Sequence, residues 1–254
     1  MNEMSRYRFK HELNEGAIIS RKNRFIINAK INGKEELCHC PSTGRIGGLI
    51  LDGTPCLLSE SENPERKTGH TVEAISYHHG KGKSMEWVGI NQNQVNRYVE
   101  FFLRNGQLPK ILKPNSEIKR EVTFGNSRID FMIGNDYLEL KMPLITLPES
   151  KASHGSGSKE TKPKKFNSFD RLIKHYSDLA KTVSENSRAM VALCYVYDAP
   201  PFQPPPLDEK NIVVQEAVRK ATKLGVETWQ INMKINKKEV KLLKYFRLDL
   251  DFIS

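Results

Sequence analysis

No stretch of this 254-residue chain approaches the roughly 20 consecutive apolar residues that a membrane-spanning helix needs. The strongest apolar run, Met190 to Tyr197, is the length of a strand. The first ten residues are polar and charged, without the apolar centre and small-residue cleavage site of a secretory signal, so a cytoplasmic address is expected. Cysteine is scarce. Cys38, Cys40, Cys56 and Cys194 are spread unevenly, unlike the dense framework of a small secreted domain, and reduced thiols are expected. Cys38-His39-Cys40 is too tightly spaced for a usual zinc ligand pair, and no second pair completes four ligands. On a strand the two thiols would share one face and His39 the other, which makes buried strand cysteines the better reading. The chain has no internal repeat.

What it does have is positive charge. Forty Lys and Arg against thirty Asp and Glu leave a net charge of +10 and a sequence pI of about 9.3, more cation than a neutral small-molecule substrate calls for. Polyanions are the natural partners. With no membrane span in sight, the expected partner is nucleic acid, DNA or RNA; no small-molecule cofactor is expected, and the oligomeric state stays open. Hydrophobic residues at 38% and charged residues at 28% describe an ordinary globular chain, long enough for two domains.

The division falls near residue 90. From Arg24 to Ile90, short alternating runs are punctuated by turn residues, the pattern of an all-β domain. Phe25, Ile27, Ala29 and Ile31 fall on one face, and Asn32-Gly33 turns the chain back through Glu36 to Cys40. Further strands are predicted at Ile46 to Leu51, Pro55 to Leu58, Thr71 to His78 and Glu86 to Ile90, which together suggest an OB-like β-barrel over residues 1–90. Residues 91–254 read as mixed α/β. Val95, Tyr98, Val99, Phe102 and Leu103 recur at helical spacing. Three strand-like runs follow, Glu121 to Phe124, Arg128 to Ile133 and Tyr137 to Met142. The lysine-rich span Pro148 to Lys165 reads as a basic loop. Ser168 is a candidate cap for a helix over Asp170 to Val183, and a central strand is predicted at Ala189 to Tyr197. A Pro-rich stretch then leads to a helix at Asn211 to Leu224 and a strand from Val226 to Met233.

The three strand-like runs carry the candidate chemistry. If Gly134-Asn135 is a two-residue turn, Ile133 pairs with Asp136 and Asp130 lies opposite Glu139. The same count through Gly125-Asn126 sets Glu121 opposite Asp130, with Lys141 sharing the face of Glu139. Three carboxylates would then sit side by side, an arrangement that destabilises a sheet unless a cation compensates. Mg²⁺ or Mn²⁺ suits such oxygen ligands, and a bound ion beside an ammonium supplies the parts for phosphodiester hydrolysis. Asp130, Glu139, Lys141 and Glu121 are therefore the candidate catalytic residues, and the three carboxylates the candidate metal ligands. A solvated strand face with a cross-strand salt bridge is the plainer alternative. The pattern matches the Asp…Glu-x-Lys signature of PD-(D/E)XK nucleases, which is short.

Longer strings are more specific. Arg24-Phe25, the run His39 to Arg45, the run Arg120 to Phe131, and Tyr137-Leu138-Glu139-Leu140-Lys141 closely resemble the successive motifs of the sugar fermentation stimulation protein A (SfsA) family, in order and in spacing. Ile90-Asn91 with Asn96-Arg97, and Arg171 with Lys174-His175, extend the likeness over most of the chain. The resemblance implies an N-terminal OB-like β-barrel followed by a PD-(D/E)XK nuclease-like mixed α/β domain, DNA binding, and a link to sugar metabolism. It also implies a nuclease-type site at Glu121, Asp130, Glu139 and Lys141, with Arg45, Arg128, Arg171, Lys174 and His175 as nucleic-acid contacts. Between Lys141 and Arg171 the chain departs from the family pattern: the Phe-Pro-Asp-Ala stretch of relatives is absent and the span is longer. Two principal functions follow, a Mg²⁺- or Mn²⁺-dependent nuclease, or a non-catalytic, non-specific DNA-binding regulator linked to sugar (maltose) metabolism. A direct sugar-binding regulator is a third, because OB barrels also hold oligosaccharides.

Overall fold

In a computed structural model, residues 5–42, 46, 51–76, 86–113, 115–125, 127–144, 168–204 and 211–250 are described. Two β-sheets organise them. The smaller contains β2 (Asn14–Asn23), β3 (Ile26–Ile31), β4 (Lys34–His39), β5 (Pro55–Glu60), β6 (His70–Ser76) and β7 (Trp87–Gly89), in the order β4-β3-β2-β5-β6-β7. A parallel pairing of β4 with β6, Cys38 opposite His70, closes the first five strands into a barrel. The order and the parallel closure are those of the expected OB-like barrel. Asn32-Gly33 makes the predicted turn, both residues adopting positive φ (49° and 84°), as tight hairpins of this type require.

The barrel's inward residues follow the strand period: Ile27, Ala29, Ile31, Cys38 and Cys56 are buried, and all four cysteines are free thiols. Phe25 departs from the expected face. It lies in the turn ahead of β3 and is 44% exposed, because the inward alternation begins only at Ile27. The predicted strand at Ile46 to Leu51 falls largely outside the described residues.

The second sheet has the order β1-β13-β12-β11-β10-β9-β8, from β1 (Tyr7–Arg8), β8 (Ile118–Phe124), β9 (Ser127–Ile133), β10 (Asp136–Lys141), β11 (Ala189–Tyr195), β12 (Glu227–Ile235) and β13 (Glu239–Leu248). β10, β11 and β12 run parallel, and β11 is buried along its whole length, as its unbroken apolar sequence requires. The residues ahead of the barrel thus join the second sheet through β1. Helix α1 (Gln92–Arg104) buries Val95, Tyr98, Val99, Phe102 and Leu103, the predicted stripe, and Asn91 caps it by accepting the N–H of Asn93. The other helices are α2 (Ser168–Ala180) and α3 (Ile212–Lys223).

Barrel and sheet share their interiors. One apolar cluster joins barrel residues such as Ile27, Cys56 and Val72 to Leu179, Val191 and Tyr197; a second joins Leu57 and Ala74 to α1 and to Leu138, Met190 and Ile231. At the seam the Gly89 N–H donates to the Val196 carbonyl at 3.1 Å, and a Cβ on Gly89 would lie 2.6 Å from that of Val196. Only glycine lets the two backbones approach this closely.

Candidate active site

The hairpin β9–β10 adopts the predicted register, with Asp136 opposite Ile133 and Leu138 opposite Phe131. The backbone ladder ends there. One residue further on, the carboxylates take over its bonds: Asp130 Oδ2 accepts the Leu140 N–H at 2.7 Å, and Glu139 Oε2 accepts the Asp130 N–H at 3.3 Å. The two acids are thus brought together as expected, held by the backbone of the opposing strand.

Neighbouring elements complete the set. Asn96 of α1 donates its side-chain amide to Asp130 Oδ1 at 2.8 Å. On the other side Glu139, 3% exposed, holds an ion pair with Lys141 and takes a 2.5 Å hydrogen bond from Nδ1 of His175 on α2. These contacts split the pair electrostatically. Burial and the negative charge of Glu139 raise the pKa of Asp130 above its ordinary value, against the opposing pull of Leu140, Asn96 and Lys141. Burial pushes Glu139 up too, but the bonds and charges of His175 and Lys141 outweigh it and hold the pKa below the ordinary value.

Two expected members are placed differently. Glu121 does not join the row: pairing between β8 and β9 runs from Val122↔Ile129 to Arg120↔Phe131, skipping Glu121 and Asp130. Glu121 takes a left-handed φ of 55° at that break, and its half-exposed side chain forms an ion pair with Arg128. Ile129 and Phe131, two residues apart on β9, also part company at this point: Ile129 joins the cluster containing Leu179 whereas Phe131 joins the one containing α1. His175, expected as a nucleic-acid contact, is buried on Glu139 instead. Leu172, His175, Tyr176 and Leu179 follow one helical stripe, a period that marks position 175 as inward-facing. Asn96, missed as a site residue, could have been found from the spacing of Val95 and Val99, which sets it beside the buried stripe of α1.

Arg128 and Lys174 are on the surface, and Lys174 lines a groove with Phe124, Ile173 and Lys181. Arg45 and the side chain of Arg171 lie outside the described residues. Among the described residues no group of three or more His, Cys, Asp or Glu side chains is placed to hold a metal ion. The donors available are the two carboxylates of Asp130 and Glu139. They fit a hard divalent cation, which commonly takes one or two carboxylates and completes its shell with water and phosphate. Both Asp130 oxygens and Glu139 Oε2 each accept one hydrogen bond and keep a second lone pair.

Residues 19–90 match the family model of the SfsA N-terminal OB domain. The chain is 32% identical over 226 residues to a sugar fermentation stimulation protein homolog of Synechococcus sp. (strain JA-2-3B'a(2-13)), covering 87% of each chain. It belongs to the sugar fermentation stimulation protein family. Another member, from Clostridium tetani, is 31% identical over 246 residues, covering 92% of this chain and 98% of the relative. The fold resembles a solved structure, described as that of Pyrococcus furiosus SfsA in complex with Ca²⁺, with a TM-score of 0.70 at 20% identity, covering 94% of this chain and 96% of that one. The family assignment agrees with the resemblance read from the motifs, and the barrel-plus-α/β architecture with the expected fold.

Proposed function

We propose that this chain binds nucleic acid and hydrolyses its phosphodiester bonds at Asp130, Glu139 and Lys141 with a divalent metal ion. The observation that carries this reading is the buried Asp130–Glu139 pair with Lys141 beside it, at the point where the β9–β10 ladder gives way to side chains. An acid whose pKa is raised by burial and by a second acid marks a place where a cation is favoured. Asp130 and Glu139 would hold the ion, and the Ca²⁺ in the description of the Pyrococcus furiosus relative belongs to the same oxygen-seeking class as Mg²⁺. When bound, such an ion polarises a phosphoryl oxygen and acidifies a water.

The chain's own residues do the rest. His175 fixes the orientation of Glu139, and Asn96 that of Asp130. The Lys141 ammonium, 27% exposed at its side chain, is the group able to leave Glu139 and meet charge developing on the phosphoryl oxygens. The basic surface supplies non-specific attraction to the phosphate backbone.

The second reading is a DNA-binding regulator without cleavage. Its support is that Lys141 is already paired with Glu139 and His175 is bonded to the same oxygen, and that Glu121 stands outside the pair. Asp130→Asn separates the two. We expect the native protein to cleave DNA or RNA in Mg²⁺ or Mn²⁺, and the variant to lose cleavage at least a hundredfold while keeping gel-shift binding. Absence of cleavage by the native protein across metals and substrates favours the regulator; equal cleavage by a highly purified variant removes Asp130 from the mechanism.

A further inference from the structure

The outer face of the barrel across β3 and β4 combines features that the acidic site does not use. Phe25 stands in the turn between β2 and β3 at 44% exposure, with the Arg24 guanidinium 4.6 Å from its ring centroid. Leu37, on β4 opposite Asn28, is also 44% exposed. His39, two residues along on the same side of the strand, lies opposite Ile26. Its Nδ1 is shielded from water and has no hydrogen-bond partner among the described residues. Burial first, and then the charge of Arg66, lowers its pKa, which leaves a neutral ring at pH 7. Arg66 comes from the loop between β5 and β6. Around this face the exposed cations Lys22, Arg24, Lys30, Lys34 and Arg66 outnumber the exposed Glu35 and Glu65.

We infer that this face binds single-stranded nucleic acid, with a base stacked on Phe25 and the backbone drawn along Arg24 and Arg66. The inference rests on the nucleic-acid reading proposed above and adds to it the strandedness of the ligand and the place that holds it. Three physical points converge. Five-stranded barrels of this order present their second and third strands, flanked by the first and fourth connections, to oligonucleotides or oligosaccharides; here those are β3 and β4, the turn holding Phe25, and the loop holding Arg66. The excess of cations selects the polyanion of the two. A ring offered to solvent needs an unpaired base, since the base faces of a duplex are already covered by one another, and stacking is largely indifferent to sequence.

The test is fluorescence anisotropy of the full chain with a labelled 15-nucleotide mixed-sequence DNA strand and with its duplex, in EDTA at low salt, so that cleavage plays no part. The native protein is expected to prefer the single strand. Phe25→Ala should weaken that binding by about tenfold or more with little effect on the duplex, Phe25→Tyr should retain it, and Arg66→Gln should weaken both. Because Phe25 lies outside the core, its variants should keep the native melting temperature, which is measured alongside. Native-like single-strand affinity in a folded Phe25→Ala protein overturns the inference, as does a native preference for duplex. Displacement of the strand by millimolar maltooligosaccharide would reassign the face to sugar. If Phe25→Ala binds normally while Asp130→Asn has lost cleavage, the barrel inference falls and the active-site reading stands. Failure of the native protein to bind any nucleic acid defeats both.

Discussion

Asp130 is an acid held where its charge is unfavourable. Its oxygens are bonded to Asn96 and Leu140, yet burial and Glu139 keep its pKa raised. In Asp130→Asn the amide oxygen can take the Leu140 N–H while the amide NH₂ faces Asn96, whose own amide turns to accept. Removing a like charge opposite another is worth up to about 1 kcal/mol, so the variant should melt roughly 2–4 °C above the native protein at pH 7. The sign with pH follows from linkage. The folded protein binds the Asp130 proton more readily than the unfolded chain, and its stability therefore rises relative to the variant as pH falls through the raised value toward the ordinary 3.8. Melting curves between pH 4 and 8 should show the gap closing on the acid side; a constant gap would place the effect elsewhere. At this scale the sequence was informative where a turn fixed the count. Gly134-Asn135 was enough to bring Asp130 to Glu139. Glu121 escaped because its departure depends on one left-handed backbone angle that alternation does not reveal, and His175 because its motif suggested a surface role while its helical phase pointed inward.

Among the elements, α1 connects the barrel to the site. Its cap, Asn91, also donates to the buried Glu73 at 2.9 Å, which takes a second bond from Ser59 at 2.6 Å, and one turn along the helix Asn96 reaches Asp130. Asn91→Ala removes a cap worth about 1 kcal/mol and takes a partner from a buried carboxylate, at a further cost of about 1–3 kcal/mol. The loss, about 2–4 kcal/mol, should appear in urea unfolding. Asn91→Asp keeps the cap but sets an acid against Glu73, so it should not rescue stability; full rescue would mean that Glu73 plays no part. Helices were the most legible elements, since a stripe such as that of α1 survives in the sequence, whereas its cap at Asn91 was seen only in the structure. The strand β2 was not foreseen: Asn14–Asn23 is mostly polar, and of its ten residues only Ile18 is fully buried, so it shows no alternation. Its place in the sheet comes from pairing with β3 and β5 on either side, a property of the partners more than of its own residues.

Over the whole molecule the excess of cations sets the salt response. If binding draws on phosphate neutralisation by about five lysines and arginines, affinity for a DNA strand should fall with a log–log salt slope near −3.5 (about −0.7 for each phosphate neutralised). Anisotropy titrations from 50 to 200 mM salt give that slope directly, and a flat response would remove electrostatics as the source of affinity. Charge was legible from composition alone, and the two-part architecture from the change of period near residue 90. The sequence could not show that the residues ahead of the barrel cross over to pair with β13, because β1 is only two residues long and its partner is distant in the chain.

The seam at Gly89 and Val196, continuous with apolar clusters that draw on both halves, has a calorimetric consequence. Neither half keeps a complete interior once the other is lost, so heating should yield one endotherm whose measured enthalpy equals the van 't Hoff value. Two resolved peaks would mean that the halves come apart before they melt.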